Sequence, residues 1–238
     1  MKKLLLLLLI SSGLMVQAQK TIYDANAETR SVKGYHSIRV SHGIDLYLSY
    51  GEEAVAVSAK DAEFRDRIKT EVENGVLKIW YDWKEGKNIL MAVNKNMKAY
   101  VSYKQLESLS ASGGSDITVE GSIDVNKLNI SVSGGSDFKG KVSVNDLKVN
   151  ISGGSDAMIS GKATNVSVSA SGGSDFNGYD LISEVATINA SGGSDVEITV
   201  NKDLDAKASG GSDIYYKGGA SVKETRSSGA SSVKRKSS

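Results

Sequence analysis

The sequence predicts an all-β protein: a single-chain parallel β-solenoid, or β-helix, taken as right-handed, with coils of about 20 residues and an irregular N-terminal cap region. Three observations carry this. The pentapeptide Ser-Gly-Gly-Ser-Asp occurs six times, starting at Ser112, Ser133, Ser152, Ser171, Ser191 and Ser209, with spacings of 21, 19, 19, 20 and 18 residues. Apolar residues alternate on either side of each copy. Finally, the 238 residues contain no proline, a residue that cannot donate to a β-ladder and is confined to edges and bulges. A unit this short cannot bury its own apolar face, so it stacks on its neighbours.

The chain starts with Met1-Lys2-Lys3, an apolar run from Leu4 to Ile10, and Val16-Gln17-Ala18. A charged start, a short apolar stretch and a small residue at the cut make residues 1–18 a signal peptide. A membrane span needs roughly 20 apolar residues in a row, and Ser11, Ser12 and Gln17 interrupt too early. The mature chain therefore carries no expected transmembrane segment. With no cysteine anywhere, it has neither a lipid-modified anchor residue nor a disulfide.

Residues 19–103 have strand character with less regularity and form the irregular first coils and cap. Ser41-His42-Gly43-Ile44-Asp45 reads as a degenerate pentapeptide, with Ile38 and Val40 before it and Leu46 and Leu48 after it. Asp61 to Arg67 reads as a short helix and Val76 to Trp80 as a strand. Both tryptophans, Trp80 and Trp83, and seven of the ten tyrosines fall in this half. Terminal coils need atypical sequence to hide their open edges.

Residues 104–217 hold the regular repeats. Before the pentapeptides come Leu128, Ile130 and Val132, then Leu147, Val149 and Ile151, then Val166, Val168 and Ala170, with Ile188, Ala190, Leu204, Ala206 and Ala208 continuing the pattern. After them come Ile117, Phe138, Ala157, Phe176, Val196 and Ile214 on the same parity. Period two is the signal of a strand buried on one face. The Gly-Gly step between marks a corner, since glycine takes positive φ without steric cost. Two or three short strands fill each coil. Residues 218–238 hold Ser228-Gly229-Ala230-Ser231-Ser232, a decayed seventh copy, and a polar basic tail; residues 19–217 form one continuous domain.

Charge excludes a nucleic-acid surface. Without Lys2 and Lys3 the mature chain has 27 basic against 28 acidic residues, and no basic stripe accompanies the repeats. Lys234-Arg235-Lys236 reads as a solvated end and is assigned no function.

The stretch Tyr35-His36-Ser37-Ile38-Arg39-Val40-Ser41-His42-Gly43-Ile44-Asp45-Leu46, then Glu73-Asn74-Gly75-Val76-Leu77-Lys78-Ile79, then the recurrent Ser-Gly-Gly-Ser-Asp, resembles the auto-transporter adhesin head GIN domain family over about residues 30 to 217. That family is a domain of unknown function common in Bacteroidetes. The resemblance implies a β-helix exported from a Gram-negative cell, with no catalytic residues to carry over. The sequence departs from a true autotransporter in holding no run of about ten amphipathic strands for a translocator barrel.

The chemistry on offer is sparse. Asp116, Asp137, Asp156, Asp175, Asp195 and Asp213 form a file of carboxylates at about 4.8 Å if the coils stack in register. Their mutual repulsion is about 0.9 kcal/mol per pair in bulk water, and a bound Ca²⁺, which favours oxygen ligands, would relieve it. The competing reading, which we favour, has each aspartate bonding its own corner as an Asx turn. Ser115, Ser136, Ser155, Ser174, Ser194 and Ser212 share parity with the buried columns and form an internal hydroxyl ladder, each bonding the next. A serine nucleophile needs a base, and the only histidines are His36 and His42. With Asp45 these two lack a third strong metal ligand. Glycoside cleavage needs paired carboxylates in a groove, whereas these are equivalent copies in one file.

The expectation is thus a non-catalytic, exported β-solenoid: an adhesin or cell-envelope binding or structural module of unknown ligand, periplasmic, outer-surface or extracellular. Three alternatives stand beside it. One is a calcium-assisted polysaccharide binder using an Asp/Ser/Asn face, another a β-helix carbohydrate-active enzyme, and the third a scaffold that associates end to end. No cofactor beyond that Ca²⁺ is expected, and no nucleic-acid partner; envelope polysaccharide or a ligand on a host or other cell surface would be the partner. Trp80, Trp83, Tyr215 and Tyr216 read as cap packing before sugar stacking.

Overall fold

The structure, a computed structural model, describes residues 24–83 and 96–237. The expected signal peptide lies outside the described residues. In chain order the first half contains β1 (Glu28–Arg30), β2 (Ser37–Ser41), β3 (Asp45–Tyr50), β4 (Ala54–Ser58), the one-turn helix α1 (Ala62–Arg65), β5 (Ile68–Glu73), β6 (Val76–Tyr81), β7 (Lys98–Tyr103) and β8 (Ser108–Ser112). The repeats supply β9 (Ile117–Ser133), β10 (Asp137–Ser152), β11 (Asp156–Ser171), β12 (Asp175–Gly192), β13 (Asp195–Gly210), β14 (Asp213–Lys217), β15 (Ser221–Gly229) and β16 (Ser232–Arg235).

From β9 onward every pairing is parallel, and each coil lies on the next in pentapeptide register: Ser133 opposite Ser152, Ser152 opposite Ser171, Ser171 opposite Ser191 and Ser191 opposite Ser209. This is a parallel β-solenoid of about 7 turns of ~19 residues. The coils are more continuous than two or three short strands. Each of β9 to β13 runs 16 to 18 residues between corners and bends without leaving the ladder. The unequal repeat lengths are absorbed away from the pentapeptide. Register slips fall between Lys139 and Lys141, between Met158 and Gly161, and between Gly178 and Ile182, where bulges take up the extra residues. The corner thereby stays aligned while the coil length varies.

The alternating columns fill the interior. Ile130, Val149, Val168, Ile188 and Ala206 are fully buried, as are Val196 and Ile214 just past the aspartates, while Phe138 and Phe176 are only 1% exposed. Burial on this scale, at about 25 cal/mol per Å² of apolar surface, is the main source of cohesion, since the chain has no disulfide.

The first half stacks on the repeats through the degenerate pentapeptide: Ser41 lies opposite Ser112, and Leu46 opposite Ile117. Its order in space is not its order in sequence. β2 and β3 form the coil that β8 and β9 stack on, and β6 and β7, later in the chain, pair with the outer side of β2 and β3. The chain then crosses back at 104–107, where the Glu107 amide donates to the His36 carbonyl at 2.7 Å. Antiparallel strands close this end, with β5 on β6, β4 on β7 and β1 on β4. Antiparallel cover turns the parallel edge away from further stacking. Tyr35 pins the cap from inside; it is 2% exposed and its hydroxyl donates to the Ser102 carbonyl at 2.7 Å.

At the other end the decayed seventh copy is also in register, with Ser228 opposite Ser209, Gly229 opposite Gly210 and Ser232 opposite Asp213. Its inward positions turn polar: Thr225 and Ser227 follow Ala206 and Ala208.

Candidate functional site

The corner is built by its glycines. Gly113 and Gly114 have φ of 65° and 73°, the left-handed region that costs an L-residue roughly 1–2 kcal/mol. In the degenerate copy His42 and Gly43 take the same two conformations. At the fifth and sixth copies only Gly192 and Gly210 keep a positive φ, and Gly193 and Gly211 do not.

This change of corner accompanies a reversal in the buried serines. In the first copies the Ile44, Ser115 and Ser136 amides donate to the hydroxyls of Ser115, Ser136 and Ser155 in the following coil, at 3.0, 3.0 and 3.1 Å. In the later copies the hydroxyls of Ser194, Ser212 and Ser231 donate backward to the carbonyls of Ala170, Ala190 and Ala208, at 3.1, 3.1 and 2.9 Å. The expected hydroxyl-to-hydroxyl ladder is thus a ladder between hydroxyls and backbone. All six expected serines are wholly buried, and each satisfies backbone groups that the corner leaves without a strand partner.

The six expected aspartates do stand in one file, exposed except for the half-buried Asp213, with Asp137 to Asp213 in register coil after coil and Asp116 bonded to Asp137. Their bonding differs from an Asx turn within one corner. The Asp137 amide donates to Asp116 Oδ1 at 3.0 Å, and the amides of Asp175, Asp195 and Asp213 donate to Oδ1 of Asp156, Asp175 and Asp195 at 3.4, 3.3 and 3.2 Å. Each of these carboxylates therefore clips the next coil. Asp45 extends the file by one coil, opposite Lys98; burial, then the Asp116 charge, raise its carboxyl above the usual range. At the far end a hydrogen bond from the Ser232 hydroxyl holds Asp213 below it. Among the described residues, no three His, Cys, Asp or Glu side chains gather as a metal cluster.

His36 and His42 do not converge on Asp45 to form a ligand set. His36 Nδ1 lies 3.1 Å from Glu107 Oε2 at the surface, while His42 is spent on the corner. Trp83 packs edge-on against Tyr81 with ring centroids 4.8 Å apart, and Tyr216 lies against the core. Tyr215 bonds Asp213 at 3.1 Å and sits beneath the Lys236 ammonium. Trp80 stands half-buried on the outer face of β6.

The surface feature the sequence reading missed is a groove. The ladder skips the residue after Val125, Val144 and Ala163, so Asn126, Asn145 and Thr164 have no partner in register. Asp124, Ser143, Lys162 and Ile182 form one wall and Asn126, Asn145, Thr164 and Glu184 the other, around an open volume of about 620 Å³ that crosses four coils. One wall is a hydrogen-bonded ladder: Asn145 Nδ2 donates to Asn126 Oδ1 at 2.6 Å, and Thr164 Oγ1 to Asn145 Oδ1 at 3.5 Å. Ile182 is 46% exposed, and the hydrogen bond from Lys202, 2.9 Å away, holds the Glu184 carboxyl below its usual range. A smaller cleft of about 390 Å³ lies at the glycine bend, between Lys139, Lys141, Met158, Asn177 and Asp180. Along the axis the groove offers two amides, two hydroxyls, the charged Asp124, Lys162 and Glu184, and the exposed Ile182. It does not enclose a small molecule.

The family model described as "Putative auto-transporter adhesin, head GIN domain" matches residues 34–220. The chain belongs to this family. As a head GIN domain chain it also matches solved structures whose likeness shows the fold. A "putative adhesin" from Bacteroides fragilis has a TM-score of 0.80 at 19% identity, over 88% of this chain and 95% of that one. A "putative adhesin" from Parabacteroides merdae has a TM-score of 0.69 at 16% identity, over 89% and 95%. A "putative lipid binding protein" from Parabacteroides distasonis has a TM-score of 0.64 at 21% identity, over 90% and 98%. No curated protein matches the chain. Among the described residues of this head GIN domain, no helix is long and apolar enough to cross a membrane.

Proposed function

We propose that this head GIN domain protein is an exported, non-catalytic binding module of the cell envelope, and that it holds an extended polysaccharide along the groove between the Asp124 and Asn126 columns. The observation that carries the reading is the groove's continuity across four coils, with an Asn126–Asn145–Thr164 ladder as one wall. Parallel coils repeat at about 4.8 Å, so a polymer of repeating sugars laid along the axis meets an amide or hydroxyl at Asn126, Asn145 and Thr164 in three successive coils. Many weak polar contacts suit a polymeric ligand, whose avidity grows with the number engaged. The exposed Ile182 supplies an apolar surface for a ring face, and the amides supply direction.

The test is a glycan array probed with the protein and with an Asn126→Ala, Asn145→Ala, Thr164→Ala variant. Signal on extended polysaccharides that the variant loses, with unchanged melting, supports the reading. An array blank for both proteins overturns it. Two further arms separate the alternatives. Signal that needs calcium and disappears in an Asp137→Ala, Asp156→Ala, Asp175→Ala variant would make the aspartate file a cation site serving the glycan. Release of new reducing ends from a bound polysaccharide would make the protein an enzyme.

A further inference from the structure

The groove and the smaller cleft meet on β10 and β11. The register sets Lys141 opposite Ser160 and Ser143 opposite Lys162. Lys141 and Ser160 line the smaller cleft, and Ser143 and Lys162 line the groove. Lys141, Ser143 and Lys162 are exposed and Ser160 is half-buried. The four residues mark the corners of a square on the ridge between the two clefts, with the lysines on one diagonal and the serines on the other. Neighbouring coils stand about 4.8 Å apart and alternate residues of a strand about 6.6 Å, so each diagonal spans about 8 Å. The flexible four-carbon stem of lysine lets both ammoniums converge on one group across that distance.

Among the described residues, none of the four side chains is held by an ion pair or a side-chain hydrogen bond. Lysines beside the same groove are committed: Lys127 lies 3.4 Å from Asp146, and Lys202 lies 2.9 Å from Glu184. Lys139 adds an ammonium at the rim of the smaller cleft, two residues from Asp137 of the aspartate file. Carboxylates bound the square one coil to either side. Asp124 lies opposite Ser143 in the preceding coil, and Asp180 lines the smaller cleft from the following one. A polymer with an acid on every sugar would set further carboxylates against Asp124 and Asp180. A polymer with isolated acids puts one between the lysines and leaves neutral sugars on both sides, where Ile182, opposite Lys162, offers an apolar surface.

We propose that Lys141, Ser143, Ser160 and Lys162 form a subsite for a single oxyanion substituent, a carboxylate, sulfate or phosphate, on the polysaccharide held in the groove. The ligand is then a sparsely acidic polymer. The ammoniums supply two positive charges, and the hydroxyls donate to the remaining oxygens. This inference rests on the polysaccharide reading and names the class of its ligand.

The experiment probes a polysaccharide array with the whole protein. Each acidic polymer is also present with its acid groups removed, by carboxyl reduction, desulfation or dephosphorylation. Neutral polymers, polygalacturonate as a polymer charged on every sugar, and phosphatidylglycerol vesicles complete the set. The expected result is the strongest signal on polymers with isolated acids, about tenfold weaker once the acid is removed. The same tenfold loss is expected in a Lys141→Gln, Lys162→Gln variant of unchanged melting temperature. An Asp124→Asn, Asp180→Asn variant should gain signal on polygalacturonate. Signal that is equal with and without the acid, or confined to neutral polymers, overturns the subsite and leaves the groove reading standing. Signal strongest on polygalacturonate or on the vesicles overturns it in favour of unspecific attraction to negative charge. An array blank throughout overturns both readings.

Discussion

The backbone amide of Asp137 donates to the carboxylate of Asp116 in the preceding coil, at 3.0 Å. A column that looks electrostatically unfavourable is therefore a set of clips between coils, and the carboxylate is needed as an acceptor more than as a charge. Asp116→Ala should cost about 0.5–1.5 kcal/mol, the net value of a typical hydrogen bond. Asp116→Asn keeps an oxygen at the same place and removes one like charge, so it should fall within about 0.5 kcal/mol of the parent. Urea denaturation of the three proteins at low and at 0.5 M salt, a concentration at which the Debye length drops to about 4 Å, checks both. Equal loss for Ala and Asn would show that the charge, and not the hydrogen bond, matters.

The serine column makes a prediction of opposite sign for hydrophobicity. Ser136 is fully buried and its hydroxyl accepts the Ser115 amide at 3.0 Å. Ser136→Ala leaves that amide unpaired in the interior, which costs about 1–3 kcal/mol. An apolar replacement at a wholly buried position thus destabilises the fold, and Ser136→Thr, which restores the hydroxyl, should recover part of the loss. Chemical denaturation at fixed slope reads both.

Glycines in the coil fall into two kinds. Gly135 has φ of 71° with open space where a Cβ would sit, whereas a Cβ on Gly161, at φ of 110°, would lie 2.0 Å from the Val142 carbonyl oxygen. Gly135→Ala should cost only the left-handed backbone term, roughly 1–2 kcal/mol. Gly161→Ala adds a collision with backbone that no rotamer relieves, so it should fall in the exceptional class of more than about 4 kcal/mol. Soluble yield and melting temperature of the pair separate strain from collision.

Legibility followed the strength of the local signal. The corner and the columns ending at Val132, Ile151 and Ala170 could be read because glycine punctuation and period-two alternation are both dictated by backbone geometry. The degenerate copy at Ser41 could be read from its Gly43 and Asp45 and the alternation of Ile38, Val40, Leu46 and Leu48 around it, and the one at Ser228 from its 19-residue distance to Ser209. The exchange of coil order in the cap could not, because β6 and β7 are joined without a pentapeptide and nothing local states which coil lies outside. The direction of the aspartate bond was also hidden: an Asx turn and an inter-coil clip ask for the same residue in the same place. The groove was missed because the skip at Asn126, Asn145 and Thr164 carries no Gly or Pro, so it looked like ordinary outward alternation. A column of amides and hydroxyls in aligned repeats, at the one point where the alternation skips a residue, was the available clue.

Asp45 gives the fold a pH dependence whose sign can be worked out. Its carboxyl is raised above the ordinary aspartate range by burial and then by the Asp116 charge, with Lys98 opposing. A raised pKa in the folded state means that the fold prefers the protonated acid, so ionisation of Asp45 costs stability. That cost is absent below the unfolded value of about 3.9, grows as pH rises through the raised folded value, and is complete above it. Asp45→Asn, neutral at every pH, should therefore be more stable than the parent near pH 7, and the advantage should vanish as pH falls toward about 3. Lys98→Met should do the reverse at pH 7, by removing the cation opposite Asp45. The measurement is the stability difference between each variant and the parent in urea, taken at intervals over that pH range. A difference for Asp45→Asn that stays flat with pH would show that Asp45 is ionised alike in the folded and unfolded chains, and that its place in the file carries no electrostatic cost.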